Sequence, residues 1–427
     1  MVHRFLHDDV GQRPNWLRMN TITLSLSNMA NGGAAMGRDA NDRVVFVPFA
    51  IPGELIRVDI VEDKKRFARG RLEKIIEPSP DRVEPPCPHF GTCGGCHFQH
   101  IHYTAQLRFK EEVVRDQLNR IGGLEGITIK PVLANPEPWA FATDITFSPT
   151  SNGQLGFWSP VNAQVIPIST CLIIRERLLE TYQDINLELT NLRRLTLRLG
   201  DDESLLAALE VEELEAPSLE TDFPISVALI LPDGVAANLI GDNYIVRSVK
   251  GSDFRVSAGC FFYPSPTALE MALDAILDYA ALAGDEKLLE LYCGVGTLTA
   301  FLAPKSATTT AIEVNPDSVA DAALNLYNLE NVTLYEGPVE EILPHLDFQP
   351  DIMVVDPPMA GLPPTVIDEI LVKAPRKLIY ISSDIAILAR DGRRLAAKGY
   401  RLVEVQPVDM VPQNYQVLTI SCWLYQA

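Results

Sequence analysis

The chain has 427 residues and a formal net charge of −20, too long for one ordinary core and too acidic to hold a polyanion through overall charge alone. Its seven cysteines, an odd number in a chain this long, exclude a plain disulfide framework and point to reduced thiols or metal ligands. Residues 1–18 carry no apolar signal core and no run reaches bilayer length, so a soluble, cytoplasmic protein with no membrane partner is expected.

After the leader of residues 1–18, residues 19–78 read as short strands at Ile22–Leu26, Val44–Val47, Leu55–Val61 and Arg71–Ile76. Asn31-Gly32-Gly33, Asp39–Asp42 and Pro52-Gly53 mark the turns between them, the pattern of a small β-barrel. A proline-rich linker, Pro78 to Pro88, leads into a cysteine-dense loop at 87–96 and a helix over about 103–121. Residues 126–250 alternate strand-like runs with turns, including Leu195–Leu199, Ile225–Leu231 and Tyr244–Val249. This region also carries an acidic block, Asp201 to Asp222, with nine acids and no base. Two basic clusters stand against it: Lys64, Lys65, Arg66, Arg69, Arg71 and Lys74, and Arg390, Arg393, Arg394, Lys398 and Arg401. Each of the three is read as a solvated face.

From residue 266 the pattern becomes regular. Helices at 266–282, 298–303, 316–328, 365–373 and 384–397 alternate with strands at Leu288–Tyr292, Thr309–Val314, Val332–Tyr335, Ile352–Val355 and Leu378–Ile381. Such alternation predicts a parallel sheet covered by helices on both faces. The last two strands, Arg401–Val405 and Val417–Trp423, have no helix between them and are expected to form a hairpin-like antiparallel edge.

The first strand of this series runs into Tyr292-Cys293-Gly294-Val295-Gly296-Thr297 and then a helix. Glycines there let the backbone turn tightly and approach a ligand at the carboxyl edge of the sheet. The second strand ends at Glu313, where a carboxylate can accept from both hydroxyls of a ribose. A nicotinamide cofactor is disfavoured because position 299 is Thr, which breaks the Gly-x-Gly-x-x-Gly pattern. S-adenosylmethionine fits better, with the turn Asp356-Pro357-Pro358 framing the pocket before the methyl donor. Cys87, Cys93 and Cys96 form a C-x5-C-x2-C loop whose spacing permits zinc, with His89, His97 or His100 as a further ligand, or an iron–sulfur centre.

Over almost its whole length the chain resembles the iron–sulfur-dependent RNA (uracil-5-)-methyltransferases. RVVFVPFAIPGELIRVDI resembles that family's TRAM domain, PSPDRVEPPCPHFGTCGGCHFQHIHYTAQLRFK its cluster loop, and LYCGVGT its cofactor loop. The resemblance implies a 4Fe–4S cluster on Cys87, Cys93, Cys96 and Cys171, with zinc as the alternative. It implies S-adenosylmethionine on Tyr263, Tyr292, Gly294, Gly296, Thr297, Glu313, Gly337 and Asp356. It also implies ribosomal or transfer RNA as partner, and a monomer. The expected fold is α/β: a seven-stranded Rossmann-like methyltransferase domain with antiparallel end strands over 252–427. Ahead of it stand the barrel over 19–78 and a mixed α+β iron–sulfur domain over 79–251.

The resemblance breaks where the chemistry would happen. The family adds a cysteine to carbon 6 of uracil and later removes the carbon-5 proton with a glutamate. Ser383 stands at the nucleophile position and Leu418 at the base position, so no catalytic residue of the uracil reaction is intact. Asp-Pro-Pro-Arg is Asp-Pro-Pro-Met here, ending at Met359, and Phe-Phe-Gln-x-Asn is Phe261-Phe262-Tyr263-Pro264-Ser265. A hydroxyl is a weaker nucleophile than a thiol whose pKa lies near ~8.5. Three readings follow: an RNA methyltransferase of this family, an enzyme whose RNA acceptor needs no cysteine adduct, or an inactive protein that binds S-adenosylmethionine and RNA.

Overall fold

The computed structural model describes residues 21–185, 191–212, 222–232 and 234–426. The expected leader and the acids Glu213, Glu215 and Glu220 lie outside these residues. The chain divides into two compact bodies, Met1–Arg82 and Val83–Ala427.

In the first body, β1 (Thr21–Met29), β2 (Ala35–Arg38), β3 (Val44–Val47), β4 (Leu55–Asp63) and β5 (Phe67–Glu77) close a barrel in the order β1-β2-β3-β5-β4. Alternate residues point inward, so Leu24, Leu26, Val45, Val47, Ile56 and Val58 fill the interior. The buried Glu54 carboxylate accepts from the Ile51 amide at 2.9 Å and from Arg82 Nε at 2.6 Å, which ties the end of this body to the barrel. Strand β2 has no counterpart among the expected elements, because Ala35-Met36-Gly37-Arg38 is four residues long and has no β-branched member.

The second body opens with α1 (Tyr103–Gln117), which continues as one π-helical turn, Leu118–Gly122, and a two-residue strand β6 (Thr128–Ile129). A mixed sheet follows, built from β7 (Asp144–Pro149), β8 (Leu155–Ser159), β9 (Gln164–Pro167), β10 (Leu192–Leu199), β11 (Leu205–Val211), β12 (Ser226–Ile230) and β13 (Ala236–Ile240). Its order is β13-β12-β11-β10-β7-β8-β9, with α2 (Glu176–Asp184) packed on it through Leu178. The hairpin of β14 (Tyr244–Val249) and β15 (Ser252–Ser257) spans the boundary expected at 251/252. It shares a core with the elements that follow.

Those elements are α3 (Pro266–Ala280), β16 (Lys287–Leu291), α4 (Thr297–Leu302), β17 (Thr308–Glu313), α5 (Pro316–Asn325), β18 (Val332–Glu336), α6 (Val339–Ile342) and β19 (Ile352–Val355). They continue with α7 (Pro364–Lys373), β20 (Lys377–Ser382), α8 (Ile385–Ala396), β21 (Tyr400–Val408) and β22 (Leu418–Tyr425). The sheet order is β18-β17-β16-β19-β20-β22-β21-β6. Strands β16 to β20 are parallel, and β16 past Lys287 and β19 are buried on both faces, as two covering helix layers require.

Two expectations need correction. The sheet has eight strands, because Thr128–Ile129 covers the free edge of β21. The last two strands do pair with each other, but β22 does not lie at the edge. It inserts antiparallel between β20 and β21. The crossover through α8 sets β21 two places away from β20, and the loop 409–417 brings β22 back into the gap.

Candidate functional site

The chain runs outward from β16 to β17 and β18, then returns to place β19 on the other side of β16. Ligands in such sheets bind outside the carboxyl ends of the strands, where the order reverses. The loop after β16, Glu313 at the end of β17 and Asp356 after β19 all meet there.

The loop is held in a strained, well-determined shape. Tyr292 has φ +64°, and the amides of Tyr292 and Cys293 donate to the Ile312 carbonyl at 2.9 and 3.1 Å. Asn325 on α5 donates to the Val295 carbonyl at 2.9 Å. Gly296, at φ +81°, passes so close to α5 that an added Cβ would lie 2.9 Å from Leu326 Cδ1. Gly294 is the opposite case: an added Cβ would meet nothing within 4 Å, so this part of the loop faces open space. Glu313 is fixed by three backbone donors, Gly294 at 2.9 Å and Val314 and Asn315 at 2.8 Å each. Its own carbonyl accepts from the Gly337 amide at 2.8 Å, which brings Gly337 beside it. Thr297 opens α4 directly behind the loop.

Two more carboxyls stand beneath the crevice. Glu290, buried on β16, has its pKa pushed up to about 8 by burial, opposed by a 2.7 Å hydrogen bond from Thr299 and reinforced by the charges of Asp356 and Glu313. Burial pushes Asp356 up to about 7, opposed by a hydrogen bond from the Tyr263 hydroxyl. The Tyr263 phenol is driven well above its ordinary range by burial and then by Asp356. Near neutral pH this side therefore holds protons that carboxyls in water would have lost.

The other side of the crevice is different in kind. Ser383 is exposed, and among the described residues its hydroxyl has no hydrogen-bond partner. Ser382 pairs with Thr419 at the end of the β20–β22 ladder, so Ser383 and Leu418 are each one residue beyond that pair in the chain. Leu418 is 4 % exposed and belongs to the core with Val408, Met410 and Ile381. Met359 and Phe261 are 68 % and 67 % exposed, and the Phe261 ring packs edge-on against Tyr263 at 5.2 Å. The fold thus joins the two positions flagged in the sequence, while their side chains offer neither a thiol nor a carboxyl.

Three functional contacts escaped the sequence reading. Glu290 carries no sequence signal beyond its place in a strand, and Asn325 none beyond its place in a helix. Asp391, buried in α8, accepts from the Tyr380 hydroxyl at 2.9 Å and the Leu362 amide at 3.0 Å. It thereby anchors the loop that begins at Asp356. An acid in the middle of an otherwise apolar helical stripe was the one available signal.

Cys87, Cys93, Cys96 and Cys171 line a single cavity of about 210 Å³, walled by Phe141, Ile145, Phe157 and Ile168. Burial pushes the Cys96 thiol up to about 12 and Cys171 up to about 11, with the other cysteines adding to the shift. Of the nearby histidines only His89 lines this cavity. His89 Nε2 accepts from the Ser169 amide at 3.0 Å, and the rings of His97 and His100 pack on Tyr415 and Phe90. Among the described residues no group of three or more His, Cys, Asp or Glu side chains is arranged to hold a single metal ion. No helix among them is long and apolar enough to cross a membrane.

Comparisons with known proteins agree with this architecture. Residues 239–413 match the family model for tRNA (uracil-5-)-methyltransferase and residues 18–72 that for the TRAM domain. An uncharacterised RNA methyltransferase of Chlorobaculum tepidum is 31 % identical over 96 % of this chain and 98 % of its own length. One from Halalkalibacterium halodurans is 30 % identical over 94 % of this chain and 96 % of its own. Among solved structures, the Pyrococcus abyssi tRNA (uracil-54, C5)-methyltransferase in complex with S-adenosyl-L-homocysteine superposes with a TM-score of 0.69. It is 23 % identical and covers 94 % of this chain and 100 % of its own, a likeness of fold.

Proposed function

Because the chain belongs to the RNA methyltransferases of the tRNA (uracil-5-)-methyltransferase family, we propose that it binds S-adenosylmethionine in the β16–β17–β19 crevice and methylates an RNA group that is nucleophilic without a cysteine adduct. One contrast carries this reading. The donor side is fully furnished, while Ser383 and Leu418 provide neither nucleophile nor base for carbon 5 of uracil.

The cofactor fits the residues present. Glu313 is set to accept from the ribose hydroxyls, Gly294 leaves room for the ligand, and Tyr292, Gly296, Thr297 and Gly337 shape the walls. When bound, the cofactor supplies an electrophilic methyl group on sulfur. Asp356, with Tyr263 on its carboxyl, lies where an incoming amine or ribose hydroxyl would be oriented and relieved of its proton. The RNA is transfer or ribosomal RNA, met by the barrel of 19–78 and by the cofactor domain of 252–427. The protein acts as a monomer in the cytoplasm.

The four cysteines, on the domain of 79–251, would hold a 4Fe–4S cluster. Four thiolates on separate corners of a cubane stand farther apart than four on one ion, in keeping with a cavity ringed by all four thiols. Such a cluster contributes four thiolate crosslinks and a redox centre. A brown protein with about four irons and four sulfides per chain is the expected preparation; a colourless one with one zinc would replace the cluster by zinc.

Methyl-labelled S-adenosylmethionine with unfractionated transfer and ribosomal RNA tests the function, with mass spectrometry of the nucleosides. Methylated nucleosides other than 5-methyluridine are expected. Tight S-adenosylhomocysteine binding with no transfer to any RNA would favour a binding protein. The hydrogen bond from Tyr263 that occupies Asp356 is the observation behind that second reading.

A further inference from the structure

The two basic clusters of the sequence meet different fates. On the barrel, Lys64 and Arg69 both pair with Glu62, at 3.4 and 3.1 Å, and Arg71 pairs with Asp59 at 3.1 Å, so that acids are interleaved with the exposed Lys65, Arg66 and Lys74. In the middle of α8, Arg390 is held by Asp391 at 2.8 Å and by the Ala360 carbonyl at 3.0 Å. Arg393, Arg394, Lys398 and Arg401 are all exposed, and among the described residues none of them has an ion pair or a side-chain hydrogen bond.

This is unusual for the chain, which has 56 acids against 36 lysines and arginines. Most exposed cations in such a protein find an acid within reach. Here four do not, and no acid falls between Arg393 and Arg401 in the sequence. The end of α8 and the start of β21 therefore form a local positive field on an acidic molecule. Three of the four groups are guanidiniums, whose planar donor forks match phosphate oxygens.

Their place in the fold is also informative. Helix α8 begins just behind Ser383, at the carboxyl edge of the sheet. It is 12 residues long and carries the chain about 18 Å, at 1.5 Å per residue, to the opposite edge. A polyanion bound there would not touch the cofactor loop or the reacting nucleotide.

We propose that Arg393, Arg394, Lys398 and Arg401 form a docking surface for the phosphodiester backbone of the RNA, one helix length from the reacting base. The proposal rests on the RNA-methyltransferase reading and adds to it a second contact region. Phosphate contacts of this kind set register and affinity and carry no sequence information.

The test is the salt dependence of binding, read by fluorescence anisotropy with labelled unfractionated transfer RNA. Exchange of all four groups for glutamine leaves a surface with no buried contact disturbed. The variant should bind at least tenfold more weakly at low salt. Its slope of log affinity against log salt should be shallower by about 3 to 4, close to one per lost phosphate contact. S-adenosylhomocysteine affinity should stay unchanged, and Lys305→Gln, removing an exposed cation elsewhere, should leave the slope within about one unit. If the unaltered protein binds RNA and the fourfold variant keeps its slope, the docking surface is wrong and the RNA reading stands. If the unaltered protein binds no RNA even at low salt, both fall.

Discussion

The two walls of the crevice were built under different demands. On the donor wall the carboxyls and the helix amide are tied down: Glu313 takes three amides, Glu290 takes Thr299, and Asn325 holds the Val295 carbonyl. On the acceptor wall Ser383 is exposed and unpartnered, Leu418 is core, and Met359 and Phe261 present apolar surface to solvent. Buried carboxyls and strained backbone are costly, and folds keep them where a ligand uses them. On the function proposed above, cofactor binding and acceptor chemistry are separable in this fold.

The comparison would be broken most dramatically by restoring the missing groups. Ser383→Cys with Leu418→Glu should create 5-methyluridine from a baseline of none, detected in RNA digests, with neither single variant sufficient. Leu418→Glu alone places a carboxyl in the core and should cost about 3 kcal/mol in urea unfolding. Next in size, Gly296→Val forces a branched side chain into a left-handed backbone against Leu326, and S-adenosylhomocysteine affinity should fall at least ~100-fold by calorimetry. Glu313→Ala removes a charged acceptor and should weaken the same binding by roughly tenfold to a hundredfold, in line with about 1.5–3 kcal/mol per charge-assisted bond.

A smaller effect sharpens the comparison through pH. Glu290 and Asp356 hold their protons in the folded state up to about 8 and about 7, against ordinary values of 4.5 and 3.8. Between those limits the folded state binds more protons than the unfolded one, so stability falls as pH rises and levels off above the folded values. Glu290→Gln should flatten the decline of Tm between about pH 5 and 8. Smallest of all, Ser383→Ala should change methyl transfer less than about twofold, because the hydroxyl lacks the activating base that nucleophilic catalysis requires.

The donor wall was legible in the sequence because its parts are local. The glycines, Glu313 and Asp356 each sit at the end of a strand whose period and turn could be read directly. Cys171 lies 75 residues beyond Cys96 in the chain yet lines the same cavity. Spacing could not place it, and only the family likeness supplied it. Glu290 was missed because a glutamate in Lys-Leu-Leu-Glu-Leu reads as a surface residue, and its burial comes from two helix layers closing over β16. The entry of β22 between β20 and β21 was missed for a similar reason: two neighbouring strands read as an edge hairpin, while the crossover through α8 leaves a gap that the last strand fills.

The separation of the two walls is tested most directly with RNA carrying tritium at carbon 5 of its uridines and carbon-14 in the methyl group of S-adenosylmethionine. Carbon-14 is expected to enter the RNA with no release of tritium to water. Tritium released in step with methyl incorporation would show that carbon 5 is the acceptor after all, and would contradict it.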